Sequence, residues 1–350
     1  MQIAAARHPE SFTELPFWAL SFARQLTNDP CRHARHLSGW RREVVQLGAG
    51  SFSGCVTEVG GGGLYAAEEL MSRGLFHIGS AYSEGLTLGA ILPHGSQGAL
   101  WNGQKVAGDT VFCVVDGSEM VFRSDENCRV QWLFVPWAML DSGARIRECI
   151  GQQGDSAALS ICDEFLAARI RRCIAVVCRW SGSLASSPKL AADAFVLSHG
   201  KVLAIAQQFI AEYLVRVPML GAREVHAMKI LRATRAYLRE NIGETVGISD
   251  LCDAASTSER TLRNACELIT GESPMSFLRA MRLNKVRRSI LAARSSVCIT
   301  EIGMRWGFLH MPQFSKDYRA LFGELPSETV RHQLEGVRCF PDLNLDPSLL

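Results

Sequence analysis

Seven polar side chains near the C-terminal end fall into two groups whose types and spacing suit hydrogen bonding to base edges. Arg260, Arg263, Asn264 and Glu267 share one face of a helix predicted after Ser258. Gln313, Lys316 and Asp317 share one face of a second helix that opens near Leu309. Arginine can pair bidentately with guanine and asparagine with adenine, and an α-helix fits the major groove of B-form DNA. For either helix alone, a solvated amphipathic surface accounts for the pattern equally well. Two copies of it at fixed separation favour a partner.

Each group sits on the second helix of a predicted helix–turn–helix. A short helix begins after Gly247, with Asp250 near its positive end. Ser256 and Thr257 form the turn, Ser258 caps the next helix, and Gly271 stops it. Leu262, Ala265, Cys266 and Ile269 recur at steps of three and four and form its packing face. In the second copy, Ile299 to Arg305 forms a short helix closed at Gly307. Pro312 is tolerated in the first turn of the following helix, and Phe314, Tyr318, Leu321 and Phe322 point inward. Between the copies, Ser273-Pro274 starts a helix that runs to about Ala293. Its twenty or so residues span roughly 30 Å, about one turn of B-form DNA, so one rod can set two helices into successive major grooves. Arg279, Arg282, Lys285, Arg287 and Arg288 along the rod are available to phosphates or to acidic neighbours.

Five segments, Arg282 to Arg288, Ile299 to Ile302, Gly307-Phe308, Gln313 to Ser315 and Phe322 to Ser327, resemble the signature of the AraC/XylS family of bacterial transcription factors. The resemblance covers about a hundred residues. It implies sequence-specific binding of double-stranded DNA near a promoter, activation more often than repression, and RNA polymerase as a partner. The base-contacting positions of the family match Arg260, Arg263 and Asn264, with Glu259 beside them, and Met311, Gln313 and Lys316, with His310 close by. Cys266 stands where the family usually has a large aromatic, Gly303 where it has alanine, and Pro312 where it has a polar residue. The general layout is similar to that of regulators of the ethanolamine-utilisation type.

At 350 residues the chain is longer than one usual domain. Its net charge of +2 is uneven: residues 223–331 carry 17 basic and 12 acidic side chains, and the rest carry 20 and 23. The excess falls where nucleic acid is expected. The 12 cysteines include no C-x-x-C pair. With no signal-type apolar core near Met1 and no bilayer-length apolar run, reduced cysteines, a cytoplasmic location and no membrane partner are expected. A redox pair such as Cys173 and Cys178 is the minor alternative.

From Arg42 to Pro136, short glycine-bounded runs predict strands: Val44–Leu47, Gly54–Val59, Gly63–Ala66, Leu86–Ile91, Thr110–Val115 and Val130–Pro136. Trp101 to Lys105 is expected to be a hairpin with an Asn-Gly turn. This pattern predicts an antiparallel β-barrel or jelly roll, placed where the family commonly carries a cupin-like sensory domain. Tyr65, Phe76, Trp101, Phe112 and Trp132, with Glu69, Arg73 and His94 as polar anchors, are the candidates to line a small-molecule effector pocket; ordinary core packing or surface exposure is the leading reading for each, and none is assigned as a site. His77 and His94 are isolated, so no metal is expected. The stretch Gly48 to Gly54 has one residue too many for a dinucleotide loop and no following helix. No cofactor and no catalytic residue are assigned.

After Pro136, Leu159 to Val177 and Lys189 to Leu214 are expected to be helical, as a barrel cover or a homodimer contact. The chain therefore divides into residues 1–41, a barrel over 42–137, a helical linker over 138–222, the double helix–turn–helix over 223–332, and a tail over 333–350. The fold class is α+β and the function a transcriptional regulator, not an enzyme. The runner-up is a cupin-like barrel enzyme with a DNA tether.

Overall fold

The computed structural model describes residues 21–61, 63–81, 84–92, 98–115, 118–140, 147–148, 160–182, 199–212, 221–293 and 297–334. The expectations for His94, for residues 216–220 of the break and for residues 335–350 of the tail lie outside these residues, as does the side chain of Cys178.

The N-terminal half is built from two antiparallel sheets. One has the order β1 (Ser21–Thr27), β3 (Gly54–Gly61), β4 (Leu64–Met71), β11 (Cys128–Pro136), β6 (Gly85–Ile91), β9 (Thr110–Val115), β12 (Ser160–Cys162). The other has the order β2 (Arg41–Gln46), β5 (Leu75–Ser80), β10 (Glu119–Arg123), β7 (Leu100–Trp101), β8 (Gln104–Lys105). The expected closed barrel is therefore corrected to a β-rich domain of two open sheets. Closure needs the edge strands to bond to each other, and β1 is not paired with β12, nor β2 with β8. Strand β1 begins well ahead of Arg42, and helix α1 (Pro30–His36), capped by Asp29, follows it. The expected hairpin forms at Trp101 to Lys105, with positive φ at both Asn102 (48°) and Gly103 (83°).

The central strands of both sheets are covered on both faces and buried almost throughout, whereas the edge strands β1, β2 and β8 are partly exposed. On the outer face of the larger sheet, Leu86, Leu88, Val111, Cys113, Leu133 and Val135 pack against α2 (Glu164–Gly182) and α3, a helical stretch over residues 199–212. Between the sheets lies an aromatic core, with the Trp101 and Phe112 rings 4.5 Å apart and Phe112 and Trp132 5.5 Å apart. Tyr65 joins this core, so four of the five aromatics considered as pocket lining serve as packing. The fifth, Phe76, faces the opposite way.

The outer face of the smaller sheet carries the C-terminal helices. Phe76, Ile78 and Val121 join one apolar cluster with α4 (Ala222–Asn241), α5 (Ile248–Ala254), α6 (Glu259–Thr270) and α7 (Pro274–Ala292). The Phe76 and Phe277 rings meet edge to face at 5.0 Å. Full burial of each such ring stabilises the seam by about 1.5–3 kcal/mol. A separate cluster holds α8 (Ile299–Arg305), α9 (Met311–Phe322) and α10 (Pro326–Leu334) against the far end of α7.

Candidate nucleic-acid interface

The first helix–turn–helix is α5 and α6. The Gly247 amide donates to Asp250 Oδ2 at 2.7 Å, closing the first turn of α5. Ser256 takes positive φ (48°) in the turn, Ser258 Oγ accepts from the Thr261 amide, and Gly271 ends α6 at φ 73°. Leu262, Ala265, Cys266 and Ile269 are buried, which leaves Glu259, Arg260, Arg263, Asn264 and Glu267 exposed on the other side. Arg263 Nη2 lies 3.0 Å from Glu259 Oε1, one helical turn away. An exposed pair of this kind contributes little stability but holds the guanidinium in place.

The second helix–turn–helix is α8 and α9. Its turn carries Gly307 at φ 81°, and His310 Nδ1 accepts from the Gln313 amide at 3.2 Å, capping α9. Pro312 occupies the first turn, where no amide donor is needed. Phe314, Tyr318, Leu321 and Phe322 are buried, while His310, Gln313 and Lys316 are exposed. Gln313 Nε2 donates to Asp317 Oδ1 at 2.8 Å, and Asp317 Oδ2 lies 3.8 Å from Arg279 Nε on α7. Met311 is half-buried and packs against the second helical cluster. Its Sδ would lie 3.4 Å from a Cβ added at Gly303, so the glycine leaves room for the thioether.

Of the expected site residues, Glu259, Arg260, Arg263 and Asn264 share the exposed side of α6. His310, Gln313 and Lys316 share that of α9. The rod between them spends part of its charge internally. Arg282 Nε donates to Ile242 O at 2.9 Å, and Arg287 Nη1 donates to Glu324 Oε1 at 2.6 Å. Arg279 and Arg288 remain exposed. Trp306 Nε1 donates to Ser289 Oγ at 3.0 Å, tying α8 to the rod.

Two residues escaped the sequence reading. Asn284, inside the basic run of the rod, exchanges hydrogen bonds with the backbone of Gln46 on β2. Gln46 Nε2 in turn donates to Leu321 O of α9 at 2.7 Å. Neither partner is near the other in sequence, so no local signal could join them. Asp317 was seen only as a polar face residue; its i−4 spacing to Gln313 is the signal that could have found the pair.

Among the described residues, no group of three His, Cys, Asp or Glu side chains could hold a metal ion. None of their helices is long and apolar enough to cross a membrane.

Two helix–turn–helix units on one rod define a DNA-binding domain, and the comparisons agree with that class. Residues 251–332 match the family described as a helix-turn-helix domain. The XylDLEGF operon transcriptional activator of Pseudomonas putida is 35% identical over 96 residues, covering 27% of this chain and 30% of that protein. XylDLEGF operon transcriptional activator 2 of the same organism is 34% identical over 104 residues, covering 29% of this chain and 65% of that one. The chain thus spans under two thirds of the length of either relative. A solved structure described as a probable AraC family transcriptional regulator from Rhodopseudomonas palustris is 28% identical. It covers 30% of this chain and 96% of that one, with a TM-score of 0.28. In this C-terminal domain the chain is therefore similar to transcriptional activators of the AraC/XylS type.

Proposed function

We propose that this protein is a sequence-specific transcriptional regulator that binds double-stranded DNA at a promoter and activates transcription there. One observation carries the reading: each of two helices on a common rod buries an apolar face and presents exposed polar side chains of base-reading type. Arg260, Arg263 and Asn264 read one major-groove segment, with Glu259 orienting Arg263. Gln313 and Lys316 read the next, with His310 at the start of the helix. Met311 supports that helix through packing and reaches the groove with its edge only. The named activators among the relatives favour activation, with RNA polymerase as the partner recruited.

The two-sheet domain serves as the regulatory half, responding to a small-molecule effector, with a homodimer extending the DNA site. A jelly-roll, cupin-like ancestry of those sheets is consistent with their antiparallel pairing, and the protein works in the cytoplasm, where its DNA target lies. The test is quantitative binding of the full-length protein to its own upstream DNA and to a scrambled control across several salt concentrations. A large specific-to-scrambled ratio with a steep salt slope is expected. Equal, weak binding to both DNAs, with and without the ligands named below, overturns the reading.

A further inference from the structure

A cleft of about 1120 Å³ lies at the seam between the sheet domain and the second helix–turn–helix. One wall comes from β1, α1 and the β2–β3 connection, and the other from the ends of α7 and α9 and from α10. Three acids and three arginines line it, which makes it a place for a polar occupant.

The acids are already committed. Asp29 Oδ1 accepts the Arg32 amide at 2.7 Å, capping α1. Glu328 Oε2 accepts the Leu325 amide at 2.6 Å, capping α10. Glu324 takes bonds from Arg287 at 2.6 Å and Thr329 at 2.8 Å, with His332 Nδ1 at 3.0 Å. Arg32 and Arg331, exposed at the mouth, have no acidic partner among the described residues. The formal charges of the lining balance, and the side chains left without an ionic partner at the mouth, Arg32 and Arg331, are positive.

Two buried polar atoms of the lining also lack partners. Arg287 Nε has no hydrogen bond, because Asp29 Oδ2, at 3.9 Å, is too far to accept one. Gln46 is 1% exposed, and its Oε1 has no donor, whereas its Nε2 is used. Leaving such atoms unsatisfied is costly, so an occupant that serves both is favoured. Arg287 asks for an acceptor, preferably an anion; Gln46 asks for a hydroxyl or amino donor.

We propose that this cleft binds a small organic anion bearing hydroxyl or amino donors, and that its occupancy adjusts the second reading head. The anion contacts Arg287, with Arg32 and Arg331 closing over it, and the donor serves Gln46. The regulatory part rests on the effector-responsive reading above. Gly323, the left-handed residue that ends α9, lines the cleft, as does Glu324 next to it. Gln46 Nε2 and the Gly50 amide both bond the Leu321 carbonyl in the last turn of α9, at 2.7 and 3.0 Å. An occupant that engages Gln46 therefore acts on the anchor of α9, while no residue of α6 lines the cleft.

The test is calorimetric titration of the full-length protein with L-malate, L-aspartate and glucose 6-phosphate. Inorganic phosphate serves as an anion without the organic donors, and glycerol as a donor without charge. Saturable binding of at least one of the three anions is expected, with phosphate and glycerol at least tenfold weaker. The double variant Arg32→Ala/Arg331→Ala, changed only at exposed side chains, should weaken that binding about tenfold or more. Nuclease protection with the binding anion should change at the half-site of the second head and not at that of the first. No saturable binding by any of the three overturns the site, as does equal binding of phosphate or an unchanged affinity in the double variant. Binding without any change in protection overturns the regulatory role. Because specific-to-scrambled DNA affinity is measured on the same protein, failure of the cleft is separable from failure of DNA recognition.

Discussion

Asn284 and Gln46 form a reciprocal amide pair across the seam between the two halves of the molecule. The Gln46 amide donates to Asn284 Oδ1 at 3.0 Å, and Asn284 Nδ2 donates to the Gln46 carbonyl at 3.2 Å. Strand β2 is an edge strand, so its outward N–H and C=O would otherwise go unpaired under the rod. The pair thus covers a sheet edge and sets where the rod lies. Asn284→Ala leaves both backbone groups buried and unpaired. It should destabilise the protein by about 1–3 kcal/mol in urea unfolding and speed amide exchange at Gln46. A variant as stable and as protected as the parent would show that the pair does not fix the rod.

Arg263→Ala is expected to act on recognition and not on folding. The lost ion pair with Glu259 is half-exposed at both ends, so stability should stay within about 0.5 kcal/mol. A bidentate base contact is worth about 1–3 kcal/mol of discrimination, so affinity for the specific site should fall roughly five- to 150-fold. Selection of binding sites by the variant should relax at one base position. Equal loss on specific and scrambled DNA would reduce Arg263 to a phosphate contact.

The helical half was legible in the sequence because its signals are local. Ser258, Gly271, Ser273-Pro274 and Gly323 mark helix ends within a few residues of where they act, and the predicted faces of α6 and α9 match the buried sets. The sheet half was only partly so. Leu75–Ser80 and Glu119–Arg123 are strands that the alternation did not expose, since β5 and β10 are buried on both faces, by the aromatic core and by the C-terminal helices. Barrel and open two-sheet arrangements share strand lengths and turns, and differ only in which edges bond. That choice is made between residues far apart in the chain. The contacts of Gln46, Asn284 and Arg287 across the seam are of the same kind, and so is the cleft they border.

Asp317 should position Gln313 as a base reader. The Gln313 amide group is held by Asp317, which Arg279 approaches from the rod. Asp317→Ala frees the Gln313 side chain to sample several rotamers, at an ordering cost of about 0.5–1.5 kcal/mol on binding. Site selection should blur at the base read by Gln313, with overall affinity falling about two- to tenfold. Asp317→Asn keeps a side-chain oxygen as acceptor and should restore most of the preference. If both variants blur equally, charge and not the hydrogen bond is what matters at that position.

Gly303→Ala tests the packing of Met311. Alanine is favoured over glycine in a helix interior by about 0.8–1 kcal/mol. The new methyl would meet the flexible end of Met311 at 3.3 and 3.4 Å and the Phe314 ring at an ordinary contact distance of 3.7 Å. A net stabilisation of up to about 1 kcal/mol is expected, with Met311 displaced outward and its methyl resonance shifted in carbon-13 spectra. Destabilisation would mean that the thioether has nowhere else to go.

Two buried titratable groups between the sheets should make the stability of this domain fall in two steps with acid. His77 is fully buried with neither ring nitrogen hydrogen-bonded. Burial, helped by Arg42 and His33 and opposed by Glu69, holds its pKa well below the usual 6.5. The unfolded chain therefore takes up a proton at His77 that the folded chain refuses, and stability declines as pH falls below about 6.5. Glu69 follows. Burial alone would raise its pKa, but Arg42, together with the bond from His33, outweighs that and holds it well below 4.5. Trp132 Nε1 adds a hydrogen bond at 2.8 Å. The stability due to Glu69 is full above about 4.5 and is lost as pH falls from there toward its depressed folded value. His77→Phe, which keeps a ring beside Phe122, should flatten the urea midpoint between about pH 7.5 and 5.5 and leave the decline below about 4.5 in place. An unchanged first step would assign it to groups other than His77.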